Sequence, residues 1–286
     1  MRTLFLILFF ASFLHMLYPQ GTRIRMPLPK DRNHTETEAI DSGSLRIYYA
    51  FNAEDINDRK TYADLQRLDI GSKLSKFYSY FLYNNDSLYF EIAKTNKTGA
   101  ASAWPGERGK METKWTLLNW SVFFKDFSKN TLTEFANMPY GVPHNQYTEE
   151  IQTQEWELQD DTVSIAGYLC QKAVCRFRGR DYVAWFTPEI PVSNGPWKFG
   201  GLPGLILNVY DKDNLYVFEC IIIESHEKKF PIFMFDDKKY TKTDRVKLRQ
   251  LDKSLYENYY QVVGAYNLDG SPVVFKPNPY HPLELE

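Results

Sequence analysis

Cysteine is scarce, three residues in 286, and the five histidines stand far apart, so the short ligand spacings that mark a zinc site are missing and no metal is expected. A basic excess is also absent. The 34 basic and 36 acidic side chains are interspersed and leave a formal charge of −2, with no field to gather phosphate backbones, which excludes nucleic acid as a partner. There is no Gly-x-Ser-x-Gly elbow, no His-Glu-x-x-His pair and no phosphate-cradling glycine loop, so no catalytic residue and no cofactor are expected. Nor does any apolar run reach the roughly 18 residues that a membrane-spanning helix needs. The longest uncharged run, Leu4 to Leu14, follows Arg2 and ends at His15, Pro19 and Gln20. It reads as a signal peptide over residues 1–20, cut between Ser12 and Gly21, although Arg23 and Arg25 follow closely and no clean small-x-small site is present. The expected mature chain is exported to the periplasm or cell surface, with no transmembrane span and, lacking a nearby cysteine, no lipid anchor.

Export puts Cys170, Cys175 and Cys220 in an oxidising compartment. Along a strand, Cys170 and Cys175 stand roughly 16 Å apart, beyond the ~7 Å that a disulfide spans between Cα atoms. Two readings stay open: Cys220 bridged to Cys170 or to Cys175, or three buried free thiols. Four Asn-x-Ser/Thr sequons, at Asn33, Asn85, Asn96 and Asn119, are no more than a chain this rich in Asn, Ser and Thr yields by chance.

What the chain has in abundance is aromatic side chains, 16% of residues with 20 Tyr and 20 Phe, a composition that favours a pleated, half-buried surface. After a polar leader over 21–44, one β-rich domain over 45–286 is expected. Short strand-like segments succeed one another: Leu45 to Tyr49, Lys76 to Leu82 and Leu88 to Ile92 around an Asn84-Asn85-Asp86 hairpin turn, Leu117 to Asp126, Thr131 to Phe135 and Gln146 to Glu157. Residues 94–114 read as a long mobile loop. Two further hairpins follow. Arg178 to Asp181 is taken as a four-residue connection that pairs Phe177 with Tyr182, with Leu169, Ala173, Cys175 and Phe177 on the core face; Asp211 to Asn214 turns Leu205–Tyr210 into Leu215–Glu224. One long helix begins at Thr243 or Asp244 and presents Val246, Leu251, Leu255, Tyr259 and Val262 as its apolar stripe.

Between the hairpins lies Gly200-Gly201-Leu202-Pro203-Gly204-Leu205-Ile206, in which Pro203 and Gly204 suit the centre of a type II turn. Gly201 to Ile206 spells the hexapeptide of a known family, and Gly167 to Ala173, Phe177 to Arg180, Trp185 to Pro191, Gly195 to Phe199, Ile70-Gly71, Ser75 to Ser79 and the closing Glu284-Leu285-Glu286 are similar to its pattern. On these residues the chain resembles the GLPGLI (Porph_ging-type) exported proteins of Bacteroidota, a family without a characterised activity. A looser likeness to lipoprotein-sorting folds implies a mainly β, α+β architecture: a curved antiparallel sheet or half-barrel with the C-terminal helix packed on it.

Three functions compete at this stage. The first is an envelope binding or accessory protein that takes a peptide, a lipid or another envelope protein such as a nutrient-uptake receptor, with Trp185, Trp197, Lys198, Phe199, Gly201, Pro203 and Gly204 as its contact surface; the opposing reading is that the same residues are core and turn packing. The second is a hydrolase assembled from His144 with Tyr140 and Glu149, or from His226 with Glu224 and Glu227. The third is a structural component of a surface assembly.

Overall fold

The computed structural model describes residues 36–95, 104–110, 117–273, 277 and 280–286. The signal segment, the first part of the leader, the sequons at Asn33 and Asn96 and most of the 94–114 loop lie outside the described residues. The remaining chain forms one open mixed sheet of twelve strands: β1 (Glu36–Phe51), β2 (Asp64–Gly71), β3 (Leu74–Ser79), β4 (Ser121–Asp126), β5 (Thr131–Ala136), β6 (Asn145–Glu150), β7 (Glu157–Ile165), β8 (Tyr168–Phe177), β9 (Arg180–Thr187), β10 (Leu205–Asp211), β11 (Val217–Phe235) and β12 (Thr241–Lys242). Their order across the sheet is β12-β6-β5-β4-β3-β2-β1-β11-β10-β9-β8-β7, all antiparallel except β12 with β6. Helices α1 (Tyr80–Thr95) and α2 (Arg245–Val262) complete it.

Inward-facing residues of β1 (Ile47, Tyr49, Phe51), β4 (Phe123), β8 (Phe177) and β10 (Leu205, Leu207) belong to one buried cluster, so strands far apart in the sheet order pack against each other and the sheet must curl over them. It stays open: β7 and β12 are its two edges. The outer face is covered too, since Tyr48 and Ala50 pack with Tyr62, Leu65 and Phe81. This arrangement is the curved antiparallel sheet with a packed C-terminal helix that the sequence implied.

Several local expectations differ. β1 starts at Glu36, inside the stretch read as leader, because that segment pairs with the far half of β11. The expected Asn84–Asp86 hairpin is the middle of α1. Its start is set upstream of that trio by Ser79, whose hydroxyl accepts from the Leu82 N–H at 3.1 Å and so caps the helix. Asn85 and Asp86 are then buried with Phe81 and Leu82 on one helix face, and burial of Asn85 and Asn119 removes both as glycan acceptors. The β8–β9 connection has two residues, not four: Arg178 and Gly179 both adopt positive φ, and Phe177 pairs with Arg180. Ala173, Cys175 and Phe177 do share the core face, but the alternation breaks near Gln171, leaving Leu169 exposed and Cys170 fully buried. In α2, Asp244 caps the helix as expected, accepting from the Lys247 N–H at 2.9 Å. Its buried stripe is Leu248, Asp252, Leu255, Tyr256 and Tyr259, while Val246 and Val262 face solvent. All three cysteines are buried free thiols.

Candidate functional site

β9 ends at Thr187, and the chain returns to the sheet at Leu205 through a loop that is fastened to itself and to its surroundings. Leu205 N–H donates to Ile190 O and Ile206 N–H to Asn194 O, both at 3.0 Å, while Trp156 Nε1 donates to Gly200 O at 2.8 Å. From the opposite side of the curled sheet, the Lys125 ammonium reaches into the loop and donates to Asn194 Oδ1 at 2.9 Å, to Gly195 O at 3.4 Å and to Phe199 O at 2.5 Å. Burial without a carboxylate partner pushes the Lys125 ammonium down to about 7.

The expected turn at Pro203-Gly204 is built differently. Gly201 is the residue with positive φ, at 83°, whereas Gly204 is required by close approach: a Cβ there would lie 2.1 Å from Thr187 O. Trp197 and Phe199 are buried, with ring centroids 5.2 Å apart, and they pack against Phe177 and Tyr182. Burial withdraws both rings from any contact surface. Trp185 is half-buried beneath Lys172, Gly201 and Pro203 are exposed, and Gly204 is buried.

Lys198 stands between Trp197 and Phe199, and its side chain carries charge to a buried meeting point. Its ammonium donates to Tyr147 Oη at 2.7 Å, Glu149 Oε1 at 2.9 Å and Glu284 Oε1 at 2.6 Å. Arg178 at the β8–β9 turn reaches Glu149 Oε2 at 2.8 Å, and Arg245 at the start of α2 reaches Glu284 Oε2 at 2.9 Å. A second knot adjoins it: Arg249 Nη2 contacts Glu134 Oε1 at 2.6 Å and Nη1 contacts Asp252 Oδ2 at 3.2 Å. Burial by itself would raise the Glu284 carboxyl, but the cations of Lys198, Arg249 and Arg178 outweigh it and hold it down at about 2. Asp252 goes the other way, pushed up to about 7 by burial against the pull of Arg249.

The closing segment is captured along its backbone as well. Leu285 N–H donates to Arg178 O at 2.9 Å, Arg180 Nη2 donates to Pro282 O at 2.7 Å, Tyr182 Oη donates to Leu283 O at 3.2 Å, and Leu283 is buried. Beside it, α2 and this segment wall a groove of about 410 Å³ whose lining includes Arg245, Val246, Lys253, Tyr280, Leu285 and Glu286.

Arg178, Arg180, Lys198 and Glu284 all stand inside sequence blocks that marked the resemblance, so the signal for this site was the charged residue within each block. Tyr147, Arg245, Arg249, Glu134 and Asp252 carried no such mark. Of the two histidine groupings, the structure brings His226 Nε2 to 3.3 Å from Glu224 Oε2 on β11, with both side chains about one-third exposed, whereas His144 accepts from the Met138 N–H through Nδ1 at 2.9 Å. Among the described residues, no group of three or more His, Cys, Asp or Glu is placed to hold a metal ion, and no helix is long and apolar enough to cross a membrane.

Residues 177–208 match the model of a family described as "Protein of unknown function (Porph_ging)". No curated protein matches the sequence. Two solved structures of PNGF-II superpose with a TM-score of 0.44 at 16% identity, over 73% of this chain and 33% or 32% of theirs, so this chain spans about a third of the length of PNGF-II. An uncharacterized conserved protein from Thermus thermophilus superposes with a TM-score of 0.32 at 9% identity, over 86% of this chain and 96% of that one.

Proposed function

We propose that this chain, which belongs to the Porph_ging family of unknown function through residues 177–208, is an exported binding or accessory protein of the bacterial envelope. Its partner is a protein that presents an extended, acidic segment, and an outer-membrane nutrient-uptake receptor is one such candidate. The observation that carries this reading is the capture of the segment Pro282–Glu286 by the β8–β9 turn, β9, α2 and Lys198, with a groove left open alongside. That geometry is the pattern of extended-peptide recognition: backbone groups supply affinity and a buried charged pocket supplies selectivity. Lys253 and Val246 on the groove wall are exposed, and Lys253 pairs with the exposed Glu257, so both can be changed while the charged groups of the buried network are kept.

The test has two arms. Cell fractionation should place the mature chain in the periplasm or at the surface, and recovery of the intact precursor from the cytosol overturns the export half. Affinity capture from solubilised envelopes with wild type and with Val246→Asp/Lys253→Glu should differ in at least one protein, lost in the double variant. Identical recoveries would show that the groove is not the contact.

A further inference from the structure

A second site lies on the opposite face of the sheet, where cross-strand pairing stacks charges on the outside of β1, β2 and β3. Arg46 of β1 stands opposite Asp69 of β2, and Asp69 stands opposite Lys76 of β3. One step along the same face, Arg67 is flanked by Tyr48 and Tyr78. Because Ile47, Leu68 and Phe77 on these strands point into the main core, this charged row points away from it. Most of it is covered, with Arg46 left partly exposed. The far half of β11 and the start of α1 cover it and leave a cavity of about 190 Å³, lined by these cations, Asp69, Tyr83 and the Pro231–Phe233 backbone.

Among the described residues lining the cavity, Asp69 is the one carboxylate, and its oxygens are already used. Arg46 Nε lies 3.2 Å from Oδ1, Arg67 Nε 3.1 Å from Oδ1, Arg67 Nη2 3.1 Å from Oδ2, and Tyr78 Oη 3.0 Å from Oδ2. Within the cavity lining two guanidiniums therefore share one carboxylate, with Glu224 of β11 standing opposite Arg46 in the strand register outside that lining. Both are also held rigidly: Arg46 stacks 3.8 Å from the Phe230 ring centroid, and Arg67 lies 4.8 to 5.3 Å from those of Tyr78, Tyr80 and Tyr83. Immobilised guanidinium forks with spare donors are the group that best recognises phosphate and sulfate.

We propose that this cavity binds a small tetrahedral oxyanion, either free or as the terminal group of a larger molecule. The site is separate from the groove beside α2 and does not depend on the binding reading given above. The experiment is thermal unfolding of the full mature chain titrated with inorganic phosphate, sulfate or methyl phosphate, against sodium chloride at matched ionic strength. A saturable rise in melting temperature with the oxyanions and none with chloride is expected. Methyl phosphate acting like phosphate identifies a terminal group, while phosphate alone acting identifies the free ion. Arg46→Met, at a partly exposed position, should raise the half-saturating phosphate concentration roughly tenfold or more. Asp69→Asn, which removes the competing charge, should lower it. Oxyanion curves that coincide with chloride, or an Arg46→Met protein with the wild-type response, overturn the assignment.

Discussion

The Lys198 ammonium and the Glu284 carboxylate meet at 2.6 Å with both side chains 2% exposed, which ties the Gly195–Phe199 loop to the end of the chain. Exposed ion pairs contribute little, but a buried one is costly to break, because the surviving partner is left charged and desolvated. Glu284 also answers Arg178 and Arg245, so its removal strands three cations with Glu149 as their remaining carboxylate in that knot.

Glu284→Ala is expected to destabilise the fold by about 3–5 kcal/mol in urea unfolding at neutral pH. The pH dependence has a definite sign. With the folded carboxyl held at about 2 against an ordinary 4.5, its contribution is complete above about 4.5 and is lost as pH falls toward 2. That window is worth about 3 kcal/mol, and Glu284→Gln should abolish it. Equal acid sensitivity in wild type and Glu284→Gln would show that the closing segment is not held by charge.

Asp64 behaves in the opposite sense. It is wholly buried, bonded to Ser79, Gln66 and the Leu65 N–H, and burial pushes its carboxyl up to about 8. Folding then takes up a proton at neutral pH, so stability is greatest below about 4 and declines as pH rises toward 8, by about 1.4 kcal/mol for each unit of that interval crossed. Asp64→Asn needs no proton and should flatten the profile, leaving the protein more stable than wild type at pH 7 and little changed at pH 4. Parallel profiles for the two proteins would sink this account.

How far the sequence spoke for the structure depended on whether a signal was local. Strand-forming alternation with a tight turn was enough to place β8 and β9, and the Asp244 cap was enough to place α2. The Arg178-Gly179 turn, though, lies within a longer polar run, so its length and register had to come from the backbone. α1 was missed because its buried face includes Asn85 and Asp86, residues whose local preference is for turns and whose burial is compensated only by the tertiary fold. The same held for the site. Lys198 was legible as part of a motif, but Glu149, Arg245 and Glu284 come from β6, α2 and the chain end, and only the curl of the sheet brings them to one point.

The two glycines of the hexapeptide should differ sharply. Gly201→Ala forces a side chain into positive φ, a loss of about 1–2 kcal/mol, with Thr153 Cγ2 able to rotate away from the new Cβ. Gly204→Ala drives a Cβ to 2.1 Å from the Thr187 carbonyl, which is backbone and cannot yield without moving β9. Its loss should exceed about 3 kcal/mol, at or beyond the usual range for overpacking. Thermal melts that rank Gly201→Ala as the more damaging would mean that the motif is conformational rather than steric.

Lys125 offers the sharpest test of how the motif loop is mounted. Its ammonium donates to Asn194 Oδ1, Gly195 O and Phe199 O, and among the described residues no carboxylate is in contact with it. Lys125→Met fills the same space but strips the Lys125 hydrogen bond from the Gly195 and Phe199 carbonyls, leaving Asn194 Oδ1 with the Gly195 N–H, a loss of about 2–4 kcal/mol. The pH signature separates this from a simple packing defect. Because the folded ammonium titrates at about 7 and the unfolded one near 10.5, the unfolded chain binds more protons between those values, and wild-type stability gains a contribution that grows as pH rises from 7 toward 10. The methionine variant lacks that rise, so the gap between the two proteins should widen steadily over the interval in urea titrations at pH 7, 8 and 9. A constant gap would mean that Lys125 titrates alike in the folded and unfolded chains and that its ammonium is not desolvated beneath the loop.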